Sequence, residues 1–265
     1  MRVGRSESLA ALRDERASVL EFCGALSARE WAMPSAASGW SVRDVVVHMT
    51  AVTRTAITPA AVRAMTSRQI ERMNAEVVAE SAAGTPEAAL ADFATWSGRG
   101  ITGLSAVTLP GIGAMPLRVG ELGWYPMRIL PALYVFDCHT HLRHDIAPAL
   151  GLSAPETDAR RMTAILDWLT ALLEQSHRTR LRWLEAPVSL TLSGPGGGTW
   201  RITPAPRNRL RVNVSAEVGT AAHIRGQALE FPAWATTRRA WRGCDVTIDG
   251  DAELGERVLD SINLV

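Results

Sequence analysis

Up to about residue 175 the apolar side chains of this chain recur three or four positions apart, and beyond it they alternate. Few features restrict a fold more, because a period of 3.6 belongs to a helix and a period of 2 to a strand. A segment written in one period cannot bury its apolar face in the other. The chain is therefore α+β, with helices first and a sheet-forming region after them. Its 265 residues suffice for two cores. We expect a helical bundle over 1–178 and a small α+β domain over 179–265.

Within the first part, Leu9, Leu12, Val19, Leu20, Cys23 and Leu26 mark one helix. Ser41, followed three residues later by Asp44, opens a second with a capping-box-like start, and Val45, His48, Met49 and Val52 share its inward face. A further helical stretch is predicted over 60–82, and Thr85-Pro86-Glu87 starts another, with Thr as N-cap and Pro in the first turn. The Gly- and Pro-rich LPGIGAMPLRVGELG reads as an irregular connection. An apolar segment then runs to Ile146. A last helix is expected from near Ser153, with Glu156 completing a capping box and Ala159, Met162, Leu166, Leu169 and Leu173 as its core stripe.

In the second part, Val188/Leu190/Leu192, Trp200/Ile202 and Leu210/Val212/Val214 alternate around a GPGGG turn. A helix over 227–241 that tolerates Pro232, a short strand at Val246 and Ile248, and a closing helix over 252–262 complete the reading.

Charge excludes some functions. Charged residues make up 21% and the net charge is +1, which gives no general attraction to nucleic acid or to an anionic membrane. All 28 basic residues are Arg, a mark of GC-rich coding common among actinobacteria rather than a physical adaptation. The N-terminus lacks the apolar core of a signal peptide, and no run approaches the roughly 18 apolar residues of a membrane span, so a cytoplasmic protein is expected. Three widely spaced cysteines suggest neither a disulfide framework nor a Cys-based zinc motif.

Chemistry concentrates in YVFDCHTHLRHDIAPAL, where three of the six histidines and two aspartates lie between Asp137 and Asp145. Read as a strand, Asp-x-His-x-His resembles the amidohydrolase metal motif and would put His139 and His141 on one side. That motif closes the first strand of a barrel of about 250 residues, and too little chain follows His141 for one. Read as a helix, Asp137 and His141 stand one turn apart, His144 lies near the same stripe and His139 points away. An imidazole and a carboxylate so placed can hold two corners of a tetrahedral metal site, with inward-facing His48 as the third ligand and a fourth position open. The same spacing also suits a hydrogen-bonded core histidine beside an ordinary Asp/His pair. For His139, His144 and Asp145 solvated, capping or supporting roles are expected.

SGWSVRDVVVHMTAV together with FDCHTHLRHDI resembles the mycothiol-dependent maleylpyruvate isomerase family. The resemblance rests on Trp40, Ser41, Val42, Arg43, Asp44 and His48, and on Asp137 with His141 four residues later. It implies a DinB/YfiT-like four-helix bundle followed by a sterol-carrier-like α+β domain, and it favours His48, Asp137 and His141 as metal ligands. The carboxylate here is Asp, where isomerase-type members carry Glu. The implied cofactors are Zn2+, or another divalent metal, and mycothiol; the implied activity is isomerisation or S-transfer by a metal-bound thiolate acting on a small electrophile. A low-molecular-weight thiol and that electrophile are the expected partners of a monomer or weak homodimer that binds neither nucleic acid nor membrane. In ATTRRAWRG, Arg238 and Arg239 are the candidates to meet a carboxylate of the substrate or thiol. A different class of function, a non-enzymatic carrier of a small apolar ligand, is compatible with the carrier-like domain and the many Trp and Met residues.

Overall fold

The computed structural model describes residues 1–265 apart from 82, 177–179, 207–208, 216–218 and 265. The chain forms two compact units, Val3–Thr157 with Met1, and Asp158–Val265 with Arg2. The junction expected at 178/179 lies outside the described residues. By packing, the division falls one helix earlier.

The first unit contains α1 (Arg5–Gly24), α2 (Ala28–Trp31), α3 (Val42–Ala56), α4 (Ala60–Thr66), α5 (Ile70–Glu80), α6 (Pro86–Val107), the strands β1 (Pro116–Val119) and β2 (Gly123–Pro126), and α7 (Leu130–Thr140). Helix α3 packs on α6, and α1 on α6 and α7, giving a four-helix bundle of α1, α3, α6 and α7. Its centre is Val19, Cys23, Val42, Val45, Val46, Met49, Phe93, Cys138, Leu142 and Ile146. The caps read from the sequence are present: Ser41 Oγ accepts from Asp44 N at 3.2 Å while Asp44 Oδ2 accepts from Ser41 N at 3.0 Å, and Thr85 Oγ1 accepts from Ala88 N.

Two expectations for this unit need correction. The stretch 60–82 is not one helix but α4 and α5. Ser67 is extended at φ −58° and ψ 147°, its hydroxyl accepts from Gln69 N, and Glu121 Oε1 accepts from Ile70 N, so side chains satisfy the backbone and interrupt the helical ladder. The connection after α6 is also more ordered than its composition suggests. Strands β1 and β2 pair antiparallel, with Leu117 opposite Tyr125 and Arg118 opposite Trp124.

The second unit holds α8 (Ala159–Ser176), a sheet of β3 (Val188–Ser193), β4 (Gly198–Ala205), β5 (Arg209–Val214), β6 (Ala222–Gln227) and β7 (Thr247–Gly250), and helices α9 (Phe231–Ala235) and α10 (Ala252–Ser261). The strand order is β5-β4-β3-β6-β7, with β3 and β6 parallel and the other neighbours antiparallel. Val188, Leu190, Leu192, Trp200, Ile202 and Ile224 are buried, as are Met162, Leu166, Leu169 and Leu173 of α8. Helix α8 runs along β5, where Glu174 Oε2 accepts from Val212 N. Gly196 has φ +68°, and a Cβ there would lie 2.5 Å from Thr163 N, so the GPGGG turn is seated on the first turn of α8.

Two further expectations are corrected here. Helix α8 begins at Ala159 rather than near Ser153, because Asp158 supplies the cap: its Oδ1 accepts from Arg161 N at 2.9 Å. The carbonyls of Pro155 and Glu156, which an earlier start would use within a helix, accept instead from Arg143 Nε and Nη2. Of 227–241 only Phe231–Ala235 is α-helical, since Gln227 ends β6 and Thr237 turns the chain with φ +57°. Among the described residues no single helix is long and apolar enough to cross a membrane.

Candidate metal centre

Helix α7 is apolar on nearly every side. Leu130, Pro131, Ala132, Tyr134, Val135, Cys138, His139 and Thr140 are all buried, so each ionisable group it carries must find a partner inside the protein. After Thr140 the helix does not stop. It widens into a π turn over His141–Ile146, closed by Ala147 N donating to Leu142 O five residues back. Such turns are rare and frequently mark functional sites.

The ionisable side chains of this segment divide between two sides. On one, Asp137 Oδ1 lies 3.5 Å from His48 Nε2 and 3.6 Å from His141 Nε2. The two imidazoles meet edge to face with ring centroids 4.8 Å apart. Trp40 packs against His48 at 4.9 Å between centroids, and Arg43 donates to Ser81 O at the end of α5 as well as to Asp44. The motif preceding His48 thus works as a unit: Ser41 and Asp44 start α3, Val42 is buried, Arg43 ties α3 to α5, and Trp40 holds the His48 ring.

One nitrogen from each of the two histidines and one oxygen of Asp137 all lie within 4.8 Å of one another. In a tetrahedral site with metal–ligand bonds of about 2.0–2.1 Å, two ligand atoms stand roughly 3.3–3.4 Å apart. Two of the three pairs here are at 3.5 and 3.6 Å. The set is therefore of the right chemistry and spacing for a divalent metal, with His48 and His141 buried and Asp137 partly so.

Facing α1 there is a different arrangement. Glu15 has no exposed surface; its Oε1 lies 3.1 Å from His139 Nδ1 and its Oε2 accepts from Arg143 Nη1 at 2.7 Å. Burial alone would raise the Glu15 carboxyl, but the hydrogen bond and charge of His139 and the charge of Arg143 hold it below the ordinary range. His139 belongs to this network and not to the group of His48, Asp137 and His141, which agrees with the helical reading and not with the strand-like one.

Sequence reasoning missed two members of this region, Glu15 and Arg143, and left the role of Asp145 open. Asp145 is 1% exposed and its Oδ2 lies 2.7 Å from His141 Nδ1, so of the three roles expected for it, solvated, capping or supporting, it has the last. Its signal was present in the i,i+4 spacing from His141. Glu15 was legible as a carboxylate inside the apolar stripe between Leu12 and Val19. Arg143 carried no signal beyond its neighbours. His144 is half-buried, with its ring 6.2 Å from that of His139.

The predicted arginines lie in the second unit. The backbone N–H groups of Arg238 and Arg239 both donate to Ala233 O, and the Arg239 guanidinium is held by Glu230 and the Gly243 carbonyl. Arg242 pairs with Asp260 and Glu256. In the first unit, a cavity of about 460 Å³ lined by Arg43, Thr50, Arg54, Thr85, Asp92 and Trp96 opens on a neighbouring face of α3 and includes none of His48, Asp137 or His141.

Comparison with known proteins bears on the fold. Residues 12–107 match the family described as the mycothiol maleylpyruvate isomerase N-terminal domain. A crystal structure of the mycothiol-dependent maleylpyruvate isomerase is similar with a TM-score of 0.54 over 93% of each chain at 15% identity. A mutant of that enzyme gives 0.55 over the same shares at 14% identity. No curated protein matches the sequence. The sequence match is thus confined to residues 12–107, which hold most of the bundle, while nearly the whole chain shares the fold of the maleylpyruvate isomerase structures.

Proposed function

We propose that the chain is a metal-dependent thiol isomerase or S-transferase of the mycothiol type, with His48, Asp137 and His141 holding a divalent cation, zinc in the first instance. The observation that carries this reading is the approach of Asp137 Oδ1 to both imidazole Nε2 atoms at 3.5 and 3.6 Å. Zinc held there would stabilise a thiol such as mycothiol as its thiolate, the nucleophile needed to add to a cis double bond conjugated with a carbonyl and to depart after rotation. The protein's own share is placement and neutralisation. Two neutral imidazoles and one carboxylate leave the site with a net positive charge when loaded, which favours an anionic sulfur. Trp40 and the packed π turn keep the ligand side chains in place before anything binds.

Arg238 and Arg239 are proposed to receive a substrate carboxylate, supported by the match of a guanidinium fork to that group. Three free cysteines, two of them buried, suit a reducing, cytoplasmic setting. The cavity beside α3 supports no separate function by its lining alone.

The test is an assay of cis-to-trans conversion of maleylpyruvate with mycothiol present. Conversion by zinc-loaded protein, lost on chelation and restored by zinc, is the expected result. Purified protein that carries no metal, converts nothing under any loading and retains a bound apolar molecule would instead establish a carrier.

A further inference from the structure

The two histidines of the cluster are held in different ways. His48 Nδ1 is buried and has no hydrogen-bond partner among the described residues, and its ring is fixed by packing against Trp40. His141 is fixed by a charge: Asp145 Oδ2 stands 2.7 Å from Nδ1, the ring nitrogen turned away from Asp137, while Nε2 is the atom 3.6 Å from Asp137 Oδ1. Asp145 is itself anchored, being 1% exposed, with its backbone carbonyl accepting from Ala36 N at 2.9 Å. A carboxylate can only accept a hydrogen bond, so a neutral His141 must carry its proton on Nδ1 and present an Nε2 lone pair. The π turn serves this arrangement, because it spans both His141 and Asp145 and ends in the Ala147 N to Leu142 O bond rather than in an α-helical one.

We infer that Asp145 is a positioning residue: it selects the Nδ1–H form of His141 and aims Nε2 at the point shared with His48 and Asp137. The inference rests on the metal reading above, but part of its test does not. Hydrogen bonds of this kind orient metal-binding histidines and raise their basicity, and their loss costs on the order of 10–100-fold in metal affinity.

Asp145→Ala and the nearly isosteric Asp145→Asn separate positioning from folding. In chelated wild-type protein at pH 9, long-range 1H–15N correlation spectra should show His141 protonated on Nδ1. In Asp145→Ala the proton should redistribute towards Nε2. Zinc affinity, read by competition with a chelator, should fall on the order of 10–100-fold in Asp145→Ala and less in Asp145→Asn, whose amide oxygen can still accept from Nδ1. Thermal unfolding of the chelated proteins confirms that the Asn variant is folded. A wild-type His141 protonated on Nε2, or an Ala variant with wild-type zinc affinity, overturns the inference. A wild-type protein that binds no zinc at all defeats the proposed metal site instead, and leaves the spectra to decide the role of Asp145.

Discussion

His48→Ala and His141→Ala are each expected to abolish stoichiometric zinc binding, whereas His139→Ala retains it. Each of the first two removes one of three protein donors from a cluster whose ligand atoms lie within 4.8 Å of one another. The loss should exceed the roughly 10–100-fold typical of supporting residues. Asp137→Ala should behave like the ligand variants, since Asp137 Oδ1 is the atom that approaches both imidazoles. His139, two residues from Asp137 and two from His141, bonds to Glu15 on the side facing α1, so its loss should lower stability without emptying the site. Metal content after dialysis, measured by atomic absorption, gives the answer. If His139→Ala strips the metal while Asp137→Ala leaves it, the helical reading of this segment is wrong.

The largest effect on stability is expected for Glu15→Ala. Glu15 is completely buried between His139 and Arg143, and Arg143 in turn holds the carbonyls of Pro155 and Glu156. Removing one partner of a buried pair leaves the other charge uncompensated, at a cost of about 3–5 kcal/mol. Most small proteins have about 5–15 kcal/mol in total, so the variant should unfold at a markedly lower urea concentration. Glu15→Gln keeps the shape and some hydrogen bonding and should lose less. The pH dependence has a defined sign. A carboxyl held below its unfolded value of 4.5 contributes stability that is complete above that value and is lost as pH falls through the lower folded one. Wild-type protein should therefore lose stability with acid below about pH 4.5 more steeply than Glu15→Gln, as followed by urea midpoints at several pH values. Identical midpoints for Glu15→Ala and wild type would show that the network contributes nothing.

These two networks also show how far the sequence could be read. The bundle was legible where a helix buries one face and is capped by a local side chain, so α3 and α6 begin where Ser41 and Thr85 place them. His48, Asp137 and His141 were legible for the same reason: an inward face and a one-turn spacing are local facts. What escaped depends on distant partners. Nothing near Ser67 announces that Glu121 will cap Ile70, and nothing near Ser153 announces that Arg143 will hold the carbonyls of Pro155 and Glu156 out of a helix. The π turn escaped because its bonding register is set by the groups buried around it and not by the propensities of His-Leu-Arg-His-Asp-Ile. Asp145 and Glu15 were visible as residues, but their roles needed the opposing side chains.

On the proposed function the cluster serves a thiol. Mycothiol and an alcohol analogue lacking its sulfur, titrated calorimetrically into zinc-loaded and chelated protein at two pH values, test it most directly. Mycothiol should bind the zinc-loaded protein more tightly than the alcohol does, and the preference should weaken at the lower pH because protons compete with the metal for the thiolate. It should vanish on chelation. Equal binding of thiol and alcohol, or thiol binding unchanged by removal of zinc, would contradict a thiolate held at His48, Asp137 and His141.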